Sequence, residues 1–533
     1  MNRSILVKSV ITILSVFILT LSLGFIRFEV DETIPQDVTP QPIFQNNVFD
    51  TTLTEPDVSV EEFISISDIY LIVDSYMNAE TQNDSNEVKD ARDLAMSNAI
   101  LSIVGERRVS IETAEELYHF GNMQSFNYRY QASINRYPYK LTMETILSLD
   151  YVLLADIDYS TMRSRKFIPI GTNIDVEIGE RVVHDLPFTG TFDGMGHIIS
   201  NLYLADYSYI TTILQFDGDE TTNTDIPLFK HYSMFSYVGE DAVIKNLILY
   251  NPIYELLDAP NGLSKTSMFV GENHGTIYNI GVIDEKVTQL GVNNSGIRFN
   301  LQHSSSETFT AAGFVHTNYG TIQNSYFVAE NILVSGSRFR FHTRPFAYID
   351  EGTIEGVAYA DIVHNTTNDI TPMEGITAYT TLELKNGTKN NQAISINSVN
   401  IPDEPKWNFY YLDSYPSLIS LEYDEDENEF LIKDEYDLVA FTKLINLLTP
   451  VYGKTFDLHT YRIVNHINMT NIKTLKTTQR EFKGVLYGGN NDFSSETQIN
   501  ENKYIFNLDI SVPFIQGSQY YLGLIGLSSG IIP

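Results

Sequence analysis

The chain has 533 residues, 43% of them hydrophobic, which supplies apolar material for several cores and excludes wholesale disorder. Acidic side chains outnumber basic ones 68 to 34, a formal net charge of −34, so the field of the chain repels phosphate backbones and argues against nucleic acid as a partner. With no cysteine, neither disulfide staples nor a lipid-modified cysteine anchor is available, and stability must come from a continuous core.

Arg3 and Lys8 precede an uncharged run from Ser9 to Ile26. The run exceeds the ~7–15 residues of a signal-peptide core and reaches the short end of a membrane-spanning helix. Its flanking cations set the N-terminus inside and everything after Ile26 outside. Residues 1–27 therefore read as a signal peptide or signal anchor, Ser22-Leu23-Gly24 being a weak cleavage site. Residues 28–108 read as a stalk or linker, acidic at first and punctuated by Pro35, Pro40 and Pro42. Within it Phe63–Val73 alternates like a strand, and a short helix runs from an Asp84 N-cap to Gly105.

Past residue 108 the chain repeats itself. Ile199-Ser-Asn201-Leu202, Ile244-Lys-Asn246-Leu247, Ile277-Tyr-Asn279-Ile280, Ile322-Gln-Asn324-Ser325, Ile354-Glu-Gly356-Val357 and Ile505-Phe-Asn507-Leu508 share one pattern. Side chains three apart cannot share a face of one strand, because orientation alternates with period two. A corner at the third position reconciles them, and asparagine tolerates the backbone angles of a corner. Gly275-Thr, Gly320-Thr and Gly352-Thr place a turn before three of these strands, and Phe269, Phe314 and Phe346 stand eight residues before the isoleucine. Strand, turn, strand, corner, strand describes one coil of a parallel solenoid, and unequal spacing of the coils means loops of different length inserted on it.

The stretch Pro187-Phe-Thr-Gly-Thr-Phe-Asp-Gly-Met-Gly-His-Ile-Ile-Ser-Asn-Leu202 resembles GLUG-type β-helical repeats of bacterial surface proteins. The arrangement is also similar to the non-catalytic N-terminal region of IgA-specific metallopeptidases. That resemblance implies a helix-bearing cap before the coils, which Thr113-Ala-Glu-Glu116 fits as a capping box. It also implies a closing tail, which Trp407 and Tyr415-Pro-Ser-Leu418 match. The pattern then restarts. Ile432, Leu438 and Phe441 repeat Ile111, Leu117 and Phe120 at an offset of 321, and Tyr461–Asn468 repeats Tyr151–Asp158 at 310. Phe482-Lys-Gly484 repeats Phe188-Thr-Gly190, and Leu522–Ile532 begins a further coil that the sequence leaves open, so a natural continuation past Pro533 is expected.

The expected fold is mainly all-β: a right-handed parallel β-helix or solenoid with short helical capping segments, in two tandem units. The first occupies 109–420, residues 421–429 form an acidic linker, and a second, incomplete unit occupies 430–533.

Chemistry is sparse. No His-Glu pair exists to build a zinc-peptidase helix, and no nucleophile elbow or phosphate loop occurs. Asp156 and Asp158 alternate on one strand and could present paired carboxylates, but their repeat-mates are His466 and Asn468, so a solvated or capping role is the default. Asp193 in the Phe-Asp-Gly turn reads as bonding its own turn. Asp424–Glu429 could hold calcium loosely but lacks EF-hand spacing. His197, His231, His274 and His316 recur near turns at spacings unsuited to a metal column. No catalytic, cofactor-binding or metal-ligating residue is assigned, and no cofactor is expected beyond weak Ca2+ uptake. The 33 Tyr and 30 Phe fit sugar stacking and strand packing equally. The leading reading is an acidic, exported repeat protein at the cell surface, membrane-anchored through residues 9–26 or secreted, serving adhesion to an extracellular glycan or protein. Its rivals are a polysaccharide-active β-helix enzyme, the exported part of a larger peptidase, and a structural envelope spacer.

Overall fold

The computed structural model describes residues 62–79, 84–129, 139–162, 164–165, 167–172, 176–178, 181–183, 185–204, 231–256, 265–284, 296–300, 309–329, 333–335, 341–360, 376–402, 404–409, 415–419, 421–447, 450–469, 481–488 and 505–506. Contacts divide the chain into Met1–Pro56 and Asp57–Pro533, and every described residue belongs to the second unit. The run Ser9–Ile26, Asn507 and Leu522–Ile532 lie outside the described residues. Among the described residues no helix is long and apolar enough to cross a membrane.

Asparagines open the strand pattern. Asn246, Asn279 and Asn324 all hold positive φ (55°, 54° and 45°), and Gly356 holds 63° at the same place one repeat later. Side chains before and after such a corner can both point into one core, as the isoleucine spacing demands. Ile244 lies opposite Ile277, Ile277 opposite Ile322 and Ile322 opposite Ile354, all in parallel pairing. Between the second and third of these repeats the register is 45 residues in four strands at once: Lys265 to Thr310, Val270 to Val315, Ile277 to Ile322 and Val282 to Phe327. The next step is 32 in all four, as in Val315 to Ala347 and Phe327 to Tyr359. Sequence length is thus absorbed between strands, never within them.

The result is mostly strand, in long parallel sheets. The largest runs in the order Phe63–Ser65, Arg108–Ile111, Tyr151–Leu153, Thr191–Asp193, Val243–Tyr250, Thr276–Asp284, Tyr326–Ala329, Ala358–Ala360 and Ala378–Tyr379. Three four-stranded parallel sheets accompany it. Phe188, Phe235, Phe269, Phe314 and Phe346 form a fully buried column with centroids 5.4, 5.8, 5.4 and 4.5 Å apart. Each ring contact adds about 0.5–1.5 kcal/mol to plain burial. The turns carry their own ladder. Asn273 Nδ2 donates to Asn318 Oδ1 (2.8 Å), and Asn318 Nδ2 donates to Asp350 Oδ1 (2.8 Å). Beside it a Cβ on Gly320 would stand 2.1 Å from the Gly275 carbonyl oxygen, so only glycine lets these turns stack.

Several expectations need correction. Ile199 is not in the Ile244 column: Phe192 lies opposite Ile244, and Ile199 lies opposite Leu249. Asn201 accordingly falls with Asn251, at a second corner of positive φ (57° and 49°). Residues 62–79 and 84–108, read as part of a stalk or linker with a short helix, pack as regular elements. Phe63–Ser65 is a short strand, α1 spans Ile66–Asn78 and α2 spans Asn86–Val104. Ile66, Ile69, Val73 and Met77 recur at helical spacing and are buried, which overrides the strand-like alternation. Ser65 caps α1, and Ser85 rather than Asp84 caps α2.

The cap of the repeats is α3 (Ala114–Arg129) and α4 (Lys140–Leu147). Thr113 and Glu116 close a capping box at 3.1 Å each way. Asp93 of α2 accepts from the Leu141 and Thr142 amides at the start of α4, tying the helices together. Farther on, α5 (Thr381–Asn386) and the segment through Leu418 cover the outer face of the main sheet with a separate apolar cluster. Trp407 sits in it, its Nε1 donating to the Asn324 carbonyl (2.6 Å).

Residues 421–429, expected as a linker, form a hairpin: Glu422–Asp424 pairs antiparallel with Glu429–Ile432. The segment that leads into the first repeats, Arg108–Ser200, here called the entry module, is built again from Leu421 onward around its own core. Ile432 lies opposite Ile463 as Ile111 lies opposite Leu153. Ile467 lies opposite Ile505 as Ile157 lies opposite Ile199. Tyr461 donates to the Phe456 carbonyl (2.6 Å) as Tyr151 does to Ile146 (2.7 Å). Asp434 caps α6 (Glu435–Leu444), its carboxylate accepting from the Tyr436 and Asp437 amides, and Asp437 accepts from the Lys433 amide as Glu116 does from Glu112.

Candidate functional site

The Phe192–His197 turn departs from its neighbours. Phe192 lies opposite Ile244 and Ile198 opposite Ile248, so two extra residues are inserted here. They close a tight turn, His197 N donating to Gly194 O (2.8 Å), with Met195 at φ 49° and Gly196 at φ 76°. A methionine in the left-handed region is strained, by about 1–3 kcal/mol. This turn has a charged cluster on each side.

On one side, Asp193 Oδ1 accepts from the Met195 amide (2.9 Å) and from Asn246 Nδ2 (3.2 Å). The self-bonding turn role expected of Asp193 is therefore the one observed. Lys245 Nζ lies 3.4 Å from Asp193 Oδ2 and 2.6 Å from Glu404 Oε1. Glu404 accepts in addition from Asn246 (2.7 Å) and from the Tyr278 hydroxyl (2.9 Å). Burial disfavours the Lys245 ammonium, but Glu404 and Asp193 outweigh it and hold its pKa above the ordinary lysine range. Burial and Glu404 push the Tyr278 phenol up to about 12. Lys245 thus stands between two carboxylates, and the cluster fastens Glu404 to the Asn246 corner.

On the other side, Asp156 Oδ1 accepts from His197 Nδ1 (3.0 Å) and from the Ile198 amide (3.2 Å). Lys443 Nζ of α6 reaches both oxygens of Asp156, at 3.0 and 2.9 Å. Burial raises the Asp156 pKa, yet the His197 and Lys443 contacts override it and hold the carboxyl well below its usual range. His197 is buried, and burial lowers its pKa against the opposing pull of Asp156, so the ring is neutral near pH 7. A carboxylate partner requires the proton on Nδ1, which leaves Nε2 as a lone-pair acceptor. Among the described residues Nε2 has no hydrogen-bond partner.

A half-open cleft of about 110 Å³ lies here, between the Met195–His197 turn, Leu418-Ile419 and α6. Val439 and Ala440 add apolar wall; His197, Asp437 and Lys443 add polar groups. Burial first, then Asp434, pushes the Asp437 carboxyl up to about 6.

The other candidates do not converge. Asp158 accepts from the Ser160 amide (3.0 Å) and Asn201 Nδ2 (2.8 Å), a capping role away from the partners of Asp156. Asp424 Oδ1 accepts from the Asp426 and Glu427 amides, spending that acidic run on its own turn. His274 bonds Glu272 (2.9 Å) and stacks on Tyr319 at 4.8 Å. His316 bonds the Thr310 and Thr317 hydroxyls (2.7 and 2.9 Å), and His231 packs 5.0 Å from it. Among the described residues no three His, Asp or Glu side chains are grouped to hold a metal ion.

Sequence reasoning missed Glu404, Asp437 and Lys443. Asp434-x-x-Asp437 sits at the 321 offset from Thr113-x-x-Glu116, a capping signal that would have found Asp437. Glu404 and Lys443 reach their partners across 159 and 287 residues, and no local pattern marks them. No family model, curated protein or solved structure matches this chain.

Proposed function

We propose that this chain is an exported cell-surface protein of the GLUG-like kind, whose right-handed parallel β-solenoid units serve adhesion or other extracellular contact rather than catalysis. The observation that carries the reading is the constant register of the parallel strands, 45 and then 32 residues in four strands at once, while segments of unequal length leave between them. Such a frame tolerates inserts without losing its core, which suits a scaffold that displays variable surface. The apolar run Ser9–Ile26 behind Arg3 and Lys8 supports export, and the acidic net charge of −34 suits a solvated extracellular surface.

The test places the full-length chain, with and without calcium, on a panel of glycans and extracellular-matrix proteins and records retention and product release together. Specific retention without cleavage is the expected result. Released oligosaccharide or peptide would replace adhesion by catalysis on the coils, and silence in both channels would leave a structural spacer.

A further inference from the structure

We infer that the cleft between the Met195–His197 turn and α6 is a binding site for a neutral, hydroxyl-rich ligand, a sugar residue of a glycan, with His197 Nε2 as its central acceptor. The inference rests on the adhesion reading and names its ligand class. Three observations lead to it. First, among the described residues Asp156 at Nδ1 is the one hydrogen-bond partner of the His197 ring, and His197 lines the cleft, so this buried imidazole keeps a fixed lone pair at Nε2. A histidine in that state accepts a hydrogen bond from an uncharged donor such as a hydroxyl.

Second, the charges of the site cancel. Lys443 is held by both oxygens of Asp156, so the pair offers no free cation for a phosphate, sulfate or carboxylate. An anionic ligand would also meet the Asp437 side chain, and a cationic one would meet Lys443, both of which line the cleft. A polyol, donor and acceptor at once, conflicts with none of them. Third, Met195, Leu418, Val439 and Ala440 give the cleft an apolar side. Sugar-ring C–H faces pack on such walls while their hydroxyls find polar partners, the mixed lining typical of small-ligand sites. The opening of about 110 Å³ admits part of one ring, so binding is expected at a chain end rather than along a polymer.

The test uses the full-length chain on an array of neutral glycans, sialylated and sulfated glycans and matrix proteins, followed by titration of the best binder. Two variants accompany it. H197N keeps a donor toward Asp156 but removes the Nε2 acceptor, and Val439→Phe narrows the cleft from α6. Expected is retention of a neutral glycan, weakened about tenfold by H197N (one neutral hydrogen bond) and more by V439F, with unchanged melting of H197N. Neutral-glycan binding that survives both variants overturns this site and leaves adhesion standing. Retention of acidic glycans or matrix proteins alone overturns the ligand class while adhesion again survives. Absence of any retained ligand removes both readings.

Discussion

Replacing Asn279 by glycine and by alanine separates what its side chain bonds from what its backbone adopts. Asn279 Nδ2 donates to Asn246 Oδ1 (3.0 Å) and to the Pro405 carbonyl (2.9 Å). Losing two net hydrogen bonds costs about 2 kcal/mol in either variant. The backbone then divides them. At φ 54° an L-residue with a Cβ pays roughly 1–2 kcal/mol that glycine does not. Glycine loses more unfolded-chain entropy, about 0.5–1 kcal/mol, which offsets part of the gap. Asn279 already bears most of that strain, so N279G is expected to be destabilised by about 1–2 kcal/mol and N279A, which keeps the Cβ but lacks asparagine's tolerance of this region, by about 2–3, reversing the usual order of the two residues within strands. Urea titration followed by tryptophan fluorescence reads this locally. Trp407 is the only tryptophan, it is buried, and its Nε1 bonds the backbone of the next corner, Asn324. An alanine variant as stable as the glycine variant would refute the corner argument, whatever the absolute losses.

His316 is buried, and burial together with Lys265 depresses its pKa to about 3, against roughly 6.5 in an unfolded chain. The unfolded state then binds the extra proton, so stability falls as pH drops from about 6.5 toward 3, by several kcal/mol at the lower end. Denaturant midpoints across that window should be flatter for H316Q than for the wild type. Asp437 runs the opposite way: its folded pKa of about 6 lies above the ordinary carboxylate value, so its ionised form is penalised above pH 6 and relieved as pH falls toward 4. D437N should raise stability by roughly 1–3 kcal/mol at pH 7 and make little difference at pH 4, measured by the same titration. Gly190 and Gly484 hold equivalent places, where a Cβ would stand 2.0 Å from the carbonyl oxygens of Leu149 and His459. G190A and G484A should each cost about 1–3 kcal/mol or more and raise amide exchange in their own copy of the entry module, and equal exchange in both copies would contradict the equivalence.

Much of the frame was legible because its signals are periodic and strong. The column Ile244, Ile277, Ile322 and Ile354 is in true register, and the offsets 321 and 310 reappear as paired strands in both copies. Ile199 misled because this chain turns two corners that look alike. Asn201 and Asn246 both follow an isoleucine by two and precede a leucine, yet only pairing tells that Asn201 matches Asn251. The strand reading of Phe63–Val73 held for Phe63–Ser65 and failed from Ile66 onward for a different reason. Alternation of Ile64 and Ile66 with Ser65 and Ser67 masked the helical spacing of Ile66, Ile69, Val73 and Met77, which burial then decided. The candidate site was the least legible part, since its polar lining depends on α6 arriving from far along the chain.

The two copies of the entry module show how repetition and function divide the sequence. What they share is local geometry: Glu116 and Asp437 bonding back to the amide four residues before, the buried Tyr151 and Tyr461, and the glycines at 190 and 484. What they exchange is charge. Arg108 lies 3.8 Å from Asp193 in the first copy; in the second those places hold Glu429 and Tyr487, which bond each other, and Arg462 of the neighbouring strand supplies the missing cation to Glu429. Each copy thus balances its own charges by a different route, as a buried ion pair must if removing one partner is not to strand the other. Asp156, by contrast, gives way to His466, so the second copy has no carboxylate in that place to receive a lysine. The packing that makes the fold can therefore recur along the chain, whereas the cleft beside His197 draws on residues that its second copy does not keep.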